Sequence, residues 1–278
     1  MSTTLPLAAA PTLQVITPSI GAVIRGIDLG DHLTFDDAQL IADAVTEHQV
    51  VFVRDQHLSA DRLHNLAAQF GELTVHPVDQ VAQTPKGVTT ISDTATRPPA
   101  EFDWHTDLSW TSAPPRWGFL HAVEIPATGG DTLWASGFAM YERLGDRVRR
   151  FCEQRHAIHR PSQQLISSVR RHRGDEIAIE LLRRYPPVAH PLVRRHPVNG
   201  RPVLWLSPLY MTQIEAMSSA DSAALLDVMH RGIEDPDVQV RWRWREGDVA
   251  IWDERSTVHR ALGDHFPQTR VMRRCTVD

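Results

Sequence analysis

The segment Phe102-Asp103-Trp104-His105-Thr106-Asp107-Leu108-Ser109-Trp110 carries an imidazole and a carboxylate at alternate positions. On an extended chain such side chains point to the same side, roughly 6.5 to 7 Å apart, so His105 and Asp107 can reach one metal ion while Thr106 faces away. Two ligands leave a site incomplete. The best third candidate is His259, 152 residues after Asp107 and just beyond the apolar run Val249-Ala250-Ile251-Trp252. Two imidazoles and one carboxylate on one face of an octahedron leave the opposite face open, which suits non-haem iron(II) and dioxygen. The chain holds 15 histidines, so an HxD pair by itself is also compatible with surface or hydrogen-bonded histidines.

Two arginines follow in the run Thr269-Arg270-Val271-Met272-Arg273-Arg274-Cys275-Thr276-Val277. On a strand, Arg270, Met272 and Arg274 share one face and Val271 and Arg273 the other. Two guanidiniums can then enter the cavity of the metal, and their planar forks suit carboxylates; solvent-facing charges near the C-terminus are the alternative. Gly129-Gly130 supplies a turn that would set the Thr132 hydroxyl at the cavity edge, unless it is an ordinary hairpin connection. Trp104, Trp134 and Trp252 read as wall and core, because tryptophan is recruited for its buried area.

The elements that must position these groups are mostly strands. Short apolar runs at Leu13 to Ile16, Ala22 to Ile27, Val50 to Val53, Val88 to Ile91, Gly118 to Val123, Val203 to Leu206 and Val249 to Trp252 predict a sheet-rich protein. Val238, Val240, Trp242 and Trp244 alternate with Gln239, Arg241, Arg243 and Arg245, giving a half-buried strand with one apolar and one cationic face. Helices are expected mainly in the N-terminal third. Thr34 with Asp37 forms a capping box, Ser59 caps a helix through Phe70 that Gly71 ends, and Ser218 with Asp221 opens a later helix. The segment from Pro161 to Pro191, rich in Arg and Ser, has no clean period and is expected to be a lid or an inserted loop. A many-stranded barrel or sandwich with helices on one side fits this pattern.

Bulk properties narrow the partner. With 278 residues, 42% of them hydrophobic, the chain can bury one large core, and a single domain over 12–278 is expected. A net charge of −5 offers no basic excess for nucleic acid or a lipid surface, so the partner is expected to be a small molecule. Cys152 and Cys275 form no paired spacing, which fits a reducing cytoplasmic setting rather than a disulfide scaffold or zinc module. No apolar run reaches the ~20 residues of a membrane span, and residues 1–11 read as a disordered tail.

Trp104-His105-Thr106-Asp107, Gly129-Gly130-Asp131-Thr132-Leu133-Trp134-Ala135-Ser136, and Gly247-Asp248-Val249-Ala250-Ile251-Trp252-Asp253 leading to His259-Arg260-Ala261 resemble, in order and spacing, the taurine/2-oxoglutarate dioxygenases. A shorter match is Phe70-Gly71-Glu72-Leu73 before His76-Pro77. The resemblance implies a double-stranded β-helix, a jelly roll with flanking helices. It implies that His105, Asp107 and His259 bind iron(II), that Thr132 and Arg270 hold the distal carboxylate of 2-oxoglutarate, and that Arg274 and His76 contact the primary substrate. Dioxygen and 2-oxoglutarate would be consumed, succinate and carbon dioxide released, and the substrate hydroxylated and in some cases cleaved. Asp107 favours hydroxylation, since related halogenases lack that carboxylate. A dimer or tetramer is common in the family.

The substrate side departs from the pattern. Asp79 and Glu101 stand where taurine dioxygenase has a tyrosine and an asparagine against its amino-sulfonate, Tyr210 stands near a phenylalanine, and Glu254 replaces an asparagine. If Asp79 and Glu101 face the cavity, they disfavour a purely anionic ligand and favour one with an amine or guanidine; otherwise they turn outward on loops. Substrates in view are therefore a sulfonate, a sulfate ester or an amino-acid-like metabolite. The alternatives are a biosynthetic oxygenase performing desaturation or ring chemistry at the same iron site, and a non-catalytic jelly-roll binding protein.

Overall fold

The computed structural model describes residues 10–30, 33–84, 86–99 and 103–278. Residues 1–9 of the expected tail lie outside this set. A seven-stranded sheet runs in the order Thr12–Val15, Ala22–Arg25, Val50–Val53, Val249–Asp253, Trp117–Glu124, Arg270–Val277, Thr89–Asp93. Its pairs are antiparallel except Ala22–Arg25 against Val50–Val53. A three-stranded antiparallel sheet of Gln239–Trp242, Thr132–Ser136 and Thr257–Ala261 packs against it.

Alternation along the strands explains the layers. Val51, Val53, Val249 and Ile251 turn to one face of the large sheet, where Ile41 and Val45 of the helix Phe35–His48 and Leu63 and Leu66 of the helix Ala60–Ala68 cover them. Val50, Phe52, Ala250 and Trp252 turn to the other face and meet Trp134, Val240, Trp242 and Trp244 of the small sheet. The Arg-Trp alternation read from the sequence is real: Trp242 and Trp244 are buried, while Arg241, Arg243 and Arg245 are exposed. Behind the small sheet lie the helices Gly137–Arg143 and Ser219–Ile233. Two facing, mainly antiparallel sheets with flanking helices form the expected jelly roll. Gly118 allows the close approach at its centre, because a Cβ there would stand 2.2 Å from the Trp252 ring.

All three expected N-caps are present: Thr34 with Asp37 as a reciprocal box, Ser59 accepting from Arg62 N, and Ser218 accepting from Asp221 N. The second helix stops at Ala68, before Gly71. The middle of the chain differs from expectation. It adds four helices, Gly137–Arg143, Asp146–Cys152, Gln163–Arg173 and Asp175–Arg184. Two of these make up most of the segment read as a lid or loop, which ends in the strand Val188–Pro191. Only Ile166 and Val169, then Ala178 and Leu181, turn inward from this pair. An apolar stripe two residues long per helix is lost among the surrounding arginines and serines. These four residues pack against Leu108, Trp110 and Tyr210, beside the HxD segment.

Candidate metal centre and active site

His105 and His259 face each other across an isolated antiparallel bridge, with His105 N donating to His259 O (2.9 Å) and His259 N to His105 O (2.8 Å). Their ring centroids are 4.3 Å apart. His259 belongs to the strand Thr257–Ala261, so His105 is placed by one rung added to the edge of the small sheet. The expected strand through Asp107 stops there, and residues 107–110 form a turn with Leu108 at a φ of 52°. Side chains replace the missing ladder: Thr106 N donates to Ser207 Oγ (3.0 Å) and Asp107 N to Glu254 Oε2 (3.0 Å). Thr106 points away from the site as expected, its hydroxyl reaching Leu206 O and Thr257 O. The left-handed Leu108 costs on the order of 1 kcal/mol and is held by burial among Trp110, Val81 and Tyr210.

The turn still brings the carboxylate in. His105 Nε2 lies 3.7 Å from Asp107 Oδ1, and one ligand atom from each of His105, Asp107 and His259 falls within 4.8 Å of the other two. All three residues are buried. Two atoms of the cluster, Asp107 Oδ2 and His259 Nδ1, are buried with no hydrogen-bond partner, which a polar atom in a protein interior rarely tolerates without an unseen ligand. Burial, reinforced by His105, pulls the His259 pKa well below its ordinary value, so the ring is neutral as a ligand must be. For Asp107, burial pushes the carboxyl up, but the opposing charges beside it, Arg274 first among them, outweigh it and hold the pKa at about 2. His105 Nδ1 is 2.9 Å from Asp103 O, which fixes that ring and leaves Nε2 facing the centre. This donor set fits iron(II).

A cavity of about 230 Å³ opens beside the cluster, lined by Thr132, Arg270, Asp93, Arg274, Ile91 and Leu120 among others. Arg270 is only 3% exposed, and its guanidinium bonds Gly130 O (2.9 Å) and reaches Thr132 Oγ1 at 3.4 Å. The turn expected before Thr132 is there, with Gly129 and Gly130 at φ 79° and 72°. A Cβ on Gly130 would meet Arg270 Cδ at 2.9 Å. Trp244 Nε1 also donates to Thr132 Oγ1 (2.9 Å). With both lone pairs of that oxygen engaged, its own proton is left to donate elsewhere. A buried guanidinium with no carboxylate within 4.0 Å among the described residues, beside a hydroxyl with a free proton, is a receptor for a carboxylate.

The substrate residues read from the sequence divide. Arg274 lines the cavity with its Nη1 3.0 Å from Asp107 Oδ1, while Arg273 turns to the other face and bonds Leu58 O, as strand alternation requires. His76 caps the short helix Pro77–Val81 and lines a smaller adjoining cavity with Asp107, Leu108 and Arg274; burial, with Arg274, lowers its pKa to about 4. Tyr210 stands edge-on to His105 at 6.1 Å. Asp79 lines neither cavity. It is buried and ion-paired with Arg173 Nη2 at 3.1 Å, at the end of the helix Gln163–Arg173. Glu101 lies outside the described residues.

Sequence reasoning noted Glu254 only as a departure and did not see its function. Its side chain is buried, with Oε2 accepting from Asp107 N and Oε1 from Trp252 Nε1 (2.7 Å), so one carboxyl group ties a ligand to a wall of the cavity. Burial and the Asp107 charge push its pKa well up. Charged or neutral, both oxygens of a carboxyl can accept, whereas a glutamine must turn an NH2 toward one of the two N–H groups. Glu254→Gln is therefore expected to lower iron(II) affinity about 10- to 100-fold and to cost about 1–3 kcal/mol of stability. Metal titration and a thermal melt of the metal-free protein measure the two effects; unchanged iron affinity would show that the tie does not position Asp107.

The family described as "Taurine catabolism dioxygenase TauD, TfdA family" matches residues 12–276. The alkylsulfatase of Acinetobacter baylyi is 35% identical over 272 residues, covering 95% of this chain and 84% of that protein. The alpha-ketoglutarate-dependent sulfate ester dioxygenase of Pseudomonas putida is 33% identical, covering 99% and 91%. The crystal structure of a taurine dioxygenase from Burkholderia xenovorans superposes with a TM-score of 0.80 at 31% identity, over 96% of this chain and 90% of that one. Agreement of that extent, in sequence and in shape, places the chain in the TauD/TfdA family, and it is a dioxygenase dependent on iron(II), 2-oxoglutarate and dioxygen.

Proposed function

We propose that the enzyme oxidises an alkyl sulfate ester at the carbon bearing the sulfate. The observation that carries this reading is the lining of the cavity, where Arg274 stands beside Asp107, Arg97 adds a further cation, and Ile91, Leu120, Pro98, Pro99 and Leu262 give an apolar wall. An anionic head with an alkyl chain complements such a surface. Of the two acids that would favour an amine-bearing substrate, Asp79 is neutralised by Arg173, and Glu101 lies outside the described residues. The two relatives named for sulfate esters, one as an alkylsulfatase, support the same class.

Iron(II), with 2-oxoglutarate and dioxygen, supplies the oxidation when bound. His105, Asp107 and His259 would hold the metal, and Thr132 and Arg270 the distal carboxylate of 2-oxoglutarate. Arg274 would orient the sulfate, while Trp252 and Leu120 keep water from the reacting carbon. One oxygen atom of dioxygen enters succinate and the other becomes the hydroxyl on the sulfate-bearing carbon. That carbon then loses sulfate as its hydroxyl proton leaves, giving an aldehyde. We read the enzyme as a cytoplasmic homo-oligomer acting on a small molecule; no helix among the described residues is long and apolar enough to cross a membrane.

Alkyl sulfate esters are expected to stimulate succinate release, with aldehyde and sulfate formed in equal amounts, more than sulfonates or amino acids of the same length do. Arg274→Ala should raise KM for the ester on the order of 30-fold at saturating iron, from loss of about 2 kcal/mol of charge-assisted hydrogen bonding, with the 2-oxoglutarate KM little changed. A stable hydroxylated or desaturated product by mass, or preference for an amine-bearing substrate, would replace this reading.

A further inference from the structure

The cationic face of the segment from Gln239 to Arg245 has no part in the chemistry above. Arg241 is satisfied by Asp131 at 2.7 Å. Arg243 and Arg245 are exposed and have no carboxylate within 4.0 Å among the described residues. Arg54 joins them from beside the strand Val50–Val53. Its guanidinium lies over the Trp242 ring, 3.9 Å from the centroid, bonds Arg243 O, and pairs with Asp248. Burial is the main cause that draws the Arg54 pKa below its ordinary value; Asp248 opposes it and Arg245 adds to it. Arg54, Arg243, Arg245, the turn carrying Thr128 and Gly129, and Trp244 line a cavity of about 360 Å³. Asp248 pairs with Arg54 and the Asp55 charge also favours it, which leaves Arg243 and Arg245 as the cations with no carboxylate within 4.0 Å among the described residues.

Trp244 is among the residues lining this cavity, and its indole N–H donates to Thr132 Oγ1, the atom that Arg270 also reaches. We propose that the cavity binds a small oxyanion of the sulfate or phosphate class, at a site separate from the iron centre and coupled to it through Trp244. Planar guanidinium forks pair with two oxygens of such an anion at once, and two guanidiniums without a carboxylate in contact suit a dianion. Occupancy that moves Trp244 alters the hydrogen bonding of Thr132, and hence the grip on 2-oxoglutarate. The coupling half rests on Thr132 being a cosubstrate residue; the binding half does not.

The test titrates inorganic phosphate, and separately sulfate, into the metal-free protein at constant ionic strength held with chloride. Heat and tryptophan emission are the readouts. Saturable binding with one ion per chain is expected. Arg243→Ala together with Arg245→Ala should weaken it at least about tenfold, from the loss of two charged donors, and Arg274→Ala should leave it unchanged. Response to both ions assigns a general oxyanion site, and response to one names its ligand. A non-saturating response like that of chloride, or binding lost in Arg274→Ala and kept in the double variant, overturns the site. In the loaded enzyme, saturating oxyanion should change the 2-oxoglutarate KM at least about twofold in the unmodified protein and not in the double variant. An equal KM in both, with binding intact, overturns the coupling alone.

Discussion

His259→Ala is expected to abolish turnover, with a loss on the order of 10³-fold or more, because the several kcal/mol supplied by a bound metal depend on its being held. The three-residue cluster leaves no spare ligand among the described residues, so the variant keeps one imidazole and one carboxylate. The direct measurement is the weak visible charge-transfer band that forms when iron(II) and 2-oxoglutarate are added without oxygen. It should appear in the unmodified protein and be missing in the variant. Folding should survive, since the backbone rung between residues 105 and 259 does not use the side chain. The cavity left among Trp134, Trp252 and His105 sets the cost in stability. A variant that melts cooperatively and still develops the band would remove His259 from the metal site.

Arg270→Ala is expected to raise the 2-oxoglutarate KM about 100-fold or more. Truncating one partner of a buried, hydrogen-bonded charge pair costs about 2–5 kcal/mol, much of it the penalty for leaving the other charge unpaired. Here the cation is buried before the cosubstrate arrives; it bonds a backbone carbonyl and a hydroxyl, has no carboxylate within 4.0 Å among the described residues, and is favoured by the more distant charges of Asp93 and Asp131. Arg270→Lys should restore little, because a point charge cannot reproduce the fork that spans Gly130 O and a carboxylate. Steady-state kinetics in 2-oxoglutarate and in primary substrate separate this residue from Arg274. Equal effects of the two alanine variants on 2-oxoglutarate would overturn the division of labour.

Much of the fold could be read from local signals. Strands that bury both faces show as continuous apolar runs, and Val50–Val53 and Val249–Asp253 are of this kind. The N-caps at Thr34, Ser59 and Ser218 are also local chemistry, complete within four residues. Of the helices between Gly137 and Arg184, Gln163–Arg173 and Asp175–Arg184 bury two residues each, so the stripe vanishes among polar neighbours, and Gly137–Arg143 and Asp146–Cys152 are only 7 residues long, too short to show a period. In the site, Thr132, His259 and Arg270 stand on strands whose alternation fixes their direction, His105 stands on a single bridging rung, and Asp107 comes in on the turn that follows it. Asp79 was not readable: its partner, Arg173, stands 94 residues away on a helix with no clear sequence signal. Glu254 shows the same limit, since its bonds run 147 residues back to Asp107 N and two residues back to the Trp252 ring, and only the fold joins them.

The pairing of Asp79 with Arg173 has a consequence for how such an enzyme can change over generations. The metal side is knitted by bonds buried between strands, so any alteration there disturbs the sheets themselves. The wall around His76, by contrast, hangs from the five-residue helix that follows it, fastened to the helical pair by this ion pair and by Tyr185 Oη on Gln80. Arg173 is exposed, and its tie is the kind that drift can break and remake at little cost. New substrates can thus be tried by reshaping one loosely moored wall, while the oxidising machinery behind it stays as it was.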